Sequence, residues 1–324
     1  MIKVRWGILS TARIGVQKVI PAMQKGRFTD VVAIASRSGD RANEAADKLN
    51  IGKRYNSYEA LLDDPNVDAV YNPLPNHLHV PWTIRAMEAG KHVLCEKPIG
   101  LNVGEASKLV EATRQFPDLK VMEAFMYRFH PQWQKARELV LKGSIGEVRT
   151  LHSFFSYFNT DPDNIRNKAD IGGGALMDIG CYCISFPRFI FNEEPVHVKG
   201  EMDFDPVMRT DRLTSGMLRF PSGKTSTFTC STQLMPYQKV HIMGTGGQIT
   251  IEIPVNAPPG EITSITLATK DLTETFSFDP VDQYTLQGDA FSKAVIDDKP
   301  VPVPLEDAVN NMKTIDKLRA GHSN

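Results

Sequence analysis

The sequence predicts two domains of different class. Residues 1–124 read as an α/β domain with a doubly wound parallel sheet, and residues 125–324 as an α+β domain built on a large, open, mainly antiparallel sheet. Three observations carry this. At 324 residues the chain is longer than one core ordinarily holds. Up to about residue 120, short apolar runs alternate with stretches of helical period, the rhythm of strands joined by crossover helices. Beyond about residue 145, helical period becomes rare. Alternating runs rich in Thr, Phe, Val and Ile take over, parted by turns such as Pro221-Ser222-Gly223.

Val4–Leu9 is the first strand, and residues 14–25 the helix after it, stopped by Gly26. Residues 31–35 make a second apolar strand and 41–49 a helix, and Ser57 is placed to cap a short helix over 57–62. A strand over 68–71 leads to a helix over 78–89, which Gly90 closes. His92–Cys95, a helix over 103–114 and a strand over 120–123 complete the first domain. In the second, strands are expected over 149–157, 196–202, 213–220, 225–232, 238–243, 249–253 and 263–268. One helix over 175–191, entered through Gly172-Gly173-Gly174, interrupts them. Helices over 289–295 and 305–319 end the chain, with the option of packing back on the first domain.

Composition narrows the function. The chain is 41% hydrophobic and 23% charged, with a net charge of −1, which gives no reason to expect a nucleic acid or an anionic membrane as partner. The opening MIKVRWGIL is too short an apolar run for a signal peptide, and no run is expected to be long and apolar enough to cross a bilayer. The four cysteines, Cys95, Cys181, Cys183 and Cys230, lack zinc spacing, so reduced thiols in a cytoplasmic protein and no metal are expected.

The turn after the first strand reads Ser10-Thr11-Ala12-Arg13-Ile14-Gly15. A Rossmann βαβ unit carries its G-x-G-x-x-G fingerprint at this point, here in the degenerate form S-x-A-x-x-G. Ser10 and Ala12 are the smallest choices after glycine, and the helix N-terminus still offers N–H groups to a phosphate. The alternative is an ordinary strand–helix turn. The second strand ends in Ser36-Arg37-Ser38, with Arg41 one turn later, where an NAD site usually has a carboxylate for the ribose 2′-OH. Two guanidiniums and two hydroxyls suit a 2′-phosphate, so NADP is favoured and NAD kept as second choice. Otherwise Arg37 and Arg41 are solvated charges. Asn76 and His77 follow the next strand on the same sheet edge, where Asn76 could equally cap a helix.

The run His92–Cys95 ends in Glu96-Lys97-Pro98 on that edge, so Lys97 emerges beside the cofactor unless this is a solvated turn. The triple-glycine loop opens a helix bearing Asp178 and Tyr182, i and i+4 on one face, with Gly180 leaving room on that side. Such a face suits a polar ligand, although Tyr182 could merely pack. Tyr127, Phe154, Phe155, Tyr157 and Phe158 could line a sugar site or be core positions of a strand.

Over essentially its whole length the chain resembles the glucose–fructose oxidoreductase/inositol dehydrogenase family of NAD(P)-dependent oxidoreductases. The resemblance rests on WGILSTARIG, DAVYNPLPNHLH, AFMYRFHPQW, GGGALMDIGCYCI, QYTLQGDAF and the highly specific GKHVLCEKPIG. GGGALMDIGCY is nearest the branch with xylose dehydrogenase and dimeric dihydrodiol dehydrogenase, and much of the wider family has His where this chain has Tyr182. The resemblance implies that Lys97 contacts substrate and nicotinamide ribose, that Tyr182 is the acid/base and that Asp178 hydrogen-bonds a substrate hydroxyl. It places Thr11, Ala12, Arg13, Ile14, Ser36, Arg37 and Arg41 on the adenosine half of the cofactor, and Leu74, Asn76, His77 and Glu96 on the nicotinamide side. It has Arg128, Arg166 and Tyr284 reach cofactor or substrate from the second domain, although Ile165 stands where relatives often have Trp before the arginine. It also implies a cis Lys97–Pro98 peptide.

The chemistry follows. Oxidising a sugar at C1 removes a hydroxyl proton as hydride leaves the same carbon for nicotinamide C4. A tyrosine titrates near ~10, and an ammonium beside it, here Lys97, lowers that value. Tyr182 then takes the proton while Asp178 fixes substrate register. The expectation is NADP-dependent hydride transfer at an aldose C1, as in D-xylose or D-glucose, or at a related polyol or ketose. Alternatives are a trans-dihydrodiol dehydrogenase, a hydride-shuttling oxidoreductase or NAD-dependent glycosidase with tightly bound cofactor, and a non-catalytic dinucleotide sensor, which would have no use for Lys97 and Tyr182. The partner is a small sugar or diol, and the open sheet together with the family resemblance implies a homodimer or a dimer of dimers.

Overall fold

The computed structural model describes residues 2–321. Six strands come first: β1 (Val4–Leu9), β2 (Thr29–Ala35), β3 (Lys53–Tyr55), β4 (Ala69–Asn72), β5 (His92–Cys95) and β6 (Val121–Glu123). Among them run α1 (Ile20–Met23), α2 (Gly39–Leu49), α3 (Tyr58–Leu62), α4 (His79–Glu88) and α5 (Val103–Thr113). Then α6 (Pro131–Leu141) precedes β7 (Val148–Phe158), and α7 (Cys181–Phe191) precedes β8 (His197–Phe204) and β9 (Asp211–Arg219). The strands continue through β10 (Thr225–Ser231), β11 (Gln233–Gly244), β12 (Gly247–Ile251), β13 (Thr263–Thr269) and β14 (Thr273–Phe278), before α8 (Gln283–Ile296) and α9 (Leu305–Ala320). The chain divides into two compact units. One runs to Met126 and resumes over Gln283–Val309; the other is Tyr127–Asp282 with the chain from Asn310.

The first unit is built on a six-stranded sheet in the order β3-β2-β1-β4-β5-β6, every pair parallel. That is the doubly wound dinucleotide order, whose ligand crevice lies past the C-terminal ends of β1 and β4, where the order reverses. Helices cover both faces of such a sheet, so its inner strands read as continuous apolar runs; Trp6, Ile8, Val70 and Tyr71 are all fully buried. Gly7 has no room for a side chain, since a Cβ there would stand 2.6 Å from Leu61 Cδ2. The caps form as composition dictates: Ser57 Oγ accepts from Ala60 N at 3.1 Å, and Gly90 takes φ +74 just past α4.

Several elements differ from expectation. The helix expected over 14–25 is a π-helical turn, Gly15–Val19, running into the four-residue α1. The short β3 pairs with β2 alone and is polar at Lys53 and Arg54, so no apolar run marks it. In the stretch between the two strand-rich regions, α6 forms around the buried Trp133. The last strand, β14, is mostly exposed and carries little apolar alternation. α8 begins at Gln283 rather than at 289.

The second unit carries an eight-stranded sheet, β14-β13-β12-β11-β7-β10-β9-β8. Its pairs are antiparallel except β7 with β10, which run parallel, so the sheet is mixed and mostly antiparallel. The period-2 alternation holds: Leu151 and Phe155 of β7 are buried while His152 is exposed. α7 lies against the buried face, with Phe186 stacked on Trp133 at 4.6 Å between ring centres. One expectation is corrected here. The segment Ala169–Phe191 is by length and composition apolar enough to cross a bilayer, with mean hydropathy 1.2, but 89% of that window is buried inside the fold. It is the core helix of the unit.

Candidate functional site

β1 delivers the chain to Ser10, whose φ of +99 is a geometry that glycine adopts at little cost. Ser10 Oγ accepts from Ala12 N at 3.2 Å, which offsets part of that cost. Thr11 and Ala12 are half-buried there, Arg13 points outward with Nε on Gln17 Oε1 (2.9 Å), and Ile14 leads into the π-helical turn. At the end of β2, buried Ser36 accepts Ser38 N at Oγ (3.2 Å), and Ser38 Oγ accepts Arg41 N (3.4 Å) to cap α2. Each hydroxyl is used as an acceptor and keeps its hydrogen to donate. Arg37 and Arg41 are exposed; burial pushes the Tyr58 phenol up against the opposing pull of Arg37.

Two segments meet beyond β4 and β5. Buried Leu74 donates its N–H to Asn72 Oδ1 (3.3 Å), and α4 is entered through a 3₁₀ turn, Asn76–Leu78, not through an Asn76 side-chain cap. His77 Nδ1 is buried with no hydrogen-bond partner among the described residues. The Lys97–Pro98 peptide is cis. Glu96 accepts Tyr71 OH at Oε1 (2.7 Å) and Lys97 N at Oε2 (3.3 Å). The His79 ring bridges the two segments, with Nδ1 2.7 Å from Pro98 O and Nε2 2.6 Å from Leu74 O. Burial pushes that imidazole down to about 4, against both carbonyls. Leu74, His77, Glu96 and Lys97 thus lie on one tied sheet edge; Tyr71 and His79, which tie it, are residues that the motif reading passes over.

In the second unit a π-helical turn, Leu176–Gly180, runs into α7 and carries Asp178. Asp178 Oδ2 accepts Tyr157 OH at 2.6 Å and Arg166 Nε at 2.9 Å, with its side chain 13% exposed. Burial, then the Asp178 charge, pushes the Tyr157 phenol far up, so it stays protonated as the donor. Tyr182, on the first turn of α7, is buried among aromatic rings, with Tyr127 at 6.0 Å and Phe155 at 6.1 Å.

Two family models match the chain. The oxidoreductase family with an NAD-binding Rossmann fold matches residues 4–124, and the GFO/IDH/MocA C-terminal domain matches residues 133–250. The chain belongs to the GFO/IDH/MocA family. It is 46% identical over 321 residues to the uncharacterized oxidoreductase ORF334 of Rhizobium meliloti, covering 98% of this chain and 96% of that one. It is 39% identical to D-xylose 1-dehydrogenase (NADP(+)) 2 of Haloferax volcanii, covering 97% and 95%. Among solved structures it is similar to KijD10, a 3-ketoreductase from Actinomadura kijaniata in complex with NADP and TDP-benzene: TM-score 0.92, 30% identity, 98% of each chain covered. This GFO/IDH/MocA protein is therefore an NAD(P)-dependent oxidoreductase. Its residues fit the cofactor: the Ser10 turn keeps side chains small where a pyrophosphate would approach, Ser36 and Ser38 have hydroxyl hydrogens to give, and His77 Nδ1 is an orphaned polar atom on the same edge.

Other expected site residues of this GFO/IDH/MocA chain have local partners. Arg128 is buried beneath α7, with Nη2 on Ser185 Oγ (2.8 Å) and its guanidinium over Phe189. Arg166 is paired with Asp178, and Tyr284 lies on the first turn of α8 in the first unit, not in the second domain. The space at Gly180 serves packing, not a ligand: a Cβ there would stand 2.9 Å from both Cys230 Sγ and Leu176 Cδ1. The aromatic residues of β7 divide by parity, Phe155 facing inward and Phe154 packing on Tyr237 at 5.5 Å. Tyr157 shares the parity of Phe155, the signal that could have paired it with the Asp178 helix.

Proposed function

We propose that this protein is an NADP-dependent oxidoreductase that exchanges hydride with a carbohydrate-type alcohol or carbonyl. The reacting carbon is an aldose C1, as in D-xylose or D-glucose, or its counterpart in a related polyol or ketose. One observation carries the reading: the Asp178 carboxylate, on the helical segment of Tyr182, is held by a phenol and a guanidinium. A carboxylate oriented in this way is a fixed acceptor for substrate hydroxyls. Tyr157 keeps its proton as donor to that carboxylate, which leaves Tyr182 as the tyrosine for proton transfer. We assign Lys97 the ammonium role that the Glu96-Lys97-Pro98 motif implies for such chemistry. The Ser10 turn, Ser36, Arg37 and Arg41 would hold NADP, which would supply the hydride acceptor or donor.

The hydroxyls of Ser36 and Ser38, with Arg37 and Arg41, support NADP over NAD, as does the likeness to an NADP-linked xylose dehydrogenase. Four buried, free cysteines support a reducing, cytoplasmic setting. The test is a panel of aldoses, polyols, ketoses and trans-dihydrodiols, each with NADP and with NAD. A sugar or polyol should turn over best with NADP. Tyr182→Phe should cut turnover roughly 10²–10⁴-fold with NADPH binding nearly intact. Unchanged turnover, or an NADPH affinity that collapses in parallel, would sink the assignment.

A further inference from the structure

The loop that starts the Asp178 helix is wedged between backbone on one side and a buried carboxylate on the other. A Cβ on Gly173 would stand 2.6 Å from Arg166 O and 2.7 Å from Lys168 O. Gly174 takes φ +113, and a Cβ on it would overlap Asp211 Oδ1. The same backbone carbonyls bind the loop: Gly174 N donates to Arg166 O (2.8 Å) and Gly173 N to Lys168 O (2.9 Å). From the far side, Asp211 Oδ2 accepts Leu176 N and Thr214 Oγ1, each at 2.7 Å. Leu176 opens the π-helical turn that bears Asp178, so a carboxylate stands at the positive end of that helix.

We propose that Asp211 is a positioning residue for hydride transfer: as a carboxylate it locks the Gly173–Gly174 loop and the first turn of the helix, and so fixes where Asp178 and Tyr182 are presented. This rests on the reading of those two residues as the site. The lock reaches Asp178 along two paths. One is the helix start at Leu176. The other is Arg166, whose carbonyl holds Gly174 N while its Nε holds Asp178 Oδ2. The Asp211 carboxyl bonds Thr214 on its own strand and Leu176 N from the helix, and it feels the charge of Arg319 on α9 and the Cys230 thiol of β10. Burial raises the Cys230 thiol well above its usual value, so it stays neutral. Burial also pushes Asp211 up to about 6, against Thr214, Leu176 N and Arg319, so the charge that holds the helix is lost in mildly acidic solution.

The first measurement is nuclear magnetic resonance on the ligand-free full chain. The Leu176 amide and the Asp211 carboxyl carbon should titrate together near about 6. The Leu176 response should vanish in Asp211→Asn. A Leu176 amide that stays still, or that titrates equally in Asp211→Asn, overturns the proposal whatever the substrate is. The second is turnover counted per bound NADPH, which removes unfolded molecules from the comparison. Asp211→Asn should lower kcat roughly ten- to hundredfold at neutral pH, leave the KM for NADPH unchanged and abolish the acid limb of the wild type. Thr214→Val, which keeps the carboxylate, should lose less and retain that limb. An unchanged kcat in Asp211→Asn, or an acid limb that survives it, overturns the proposal. A protein inactive on every sugar and diol would instead overturn the functional reading, with the Leu176 titration still deciding for or against Asp211.

Discussion

Two glycines show how differently the same residue type is used here. Gly15 closes the dinucleotide fingerprint, where a third glycine ordinarily lets helix and strand approach. In this chain a Cβ on it would meet Tyr71 at 3.7 Å, an ordinary contact, and its backbone is helical. Gly174 combines φ +113 with an occupied Cβ position beside Asp211. Gly15→Ala is therefore expected to leave stability unchanged or raised by up to about 1 kcal/mol, and Gly174→Ala to cost about 1–3 kcal/mol from the backbone alone. Urea unfolding of the two variants measures this; equal effects would contradict it. The sequence displays Gly172-Gly173-Gly174 openly but not that a Cβ on Gly173 would meet backbone and one on Gly174 the Asp211 carboxylate, because Asp211 is distant along the chain. Lys97, Asp178 and Tyr182 are legible from motifs. Tyr157 is legible as a strand aromatic, of a sugar site or of the core, but not as the partner of Asp178, which depends on how α7 lies against β7.

Among the elements, α8 has a role that its own sequence does not announce. Phe291 packs on Trp6 at 5.3 Å, Ser292 Oγ accepts Trp6 Nε1 at 3.0 Å, and Asp289 accepts the amides of Arg27 and Phe28. Thr285 Oγ1 donates to Ala22 O at 2.8 Å. A fragment ending at Met126 would leave Trp6 uncovered and these amides unpaired, each a destabilising change. It should fail to unfold cooperatively, and joining 283–309 to it through a flexible linker should restore a sharp transition. A cooperative transition in the shorter fragment would refute this role. Helical period shows that a helix exists here, but not that it covers β1. The π-helical turns at Gly15–Val19 and Leu176–Gly180 are hidden for a related reason. A single wider turn leaves the apolar pattern on either side intact, so the regular i, i+4 face expected for Asp178 and Tyr182 is an approximation there.

For the whole molecule, the eight-stranded sheet sets the expectation of assembly. α7 lies on its buried face, while Met217 of β9 and Tyr237 and Met243 of β11 stay 45%, 52% and 43% exposed. Exposed apolar side chains clustered on a broad sheet mark an interaction surface, and a second copy of this chain is the partner we propose. Light scattering should give about twice the chain mass of 36.1 kDa, and Met217→Glu with Met243→Glu should shift the protein toward monomer. A wild-type monomer at micromolar concentration would refute it.

The sequence by itself determined the fold class, the NAD(P) cofactor and the residues we propose as chemically active. Each of these is written locally: a period of burial, a turn that needs small side chains, a lysine before a proline, a tyrosine on a glycine-led helix. The tertiary structure alone decided which groups hold those residues in place. His79 ties Leu74 to Pro98, Arg166 and Tyr157 hold Asp178, and Asp211 braces the helix start. Such contacts depend on packing between elements far apart in the chain, and no local periodicity or propensity encodes them.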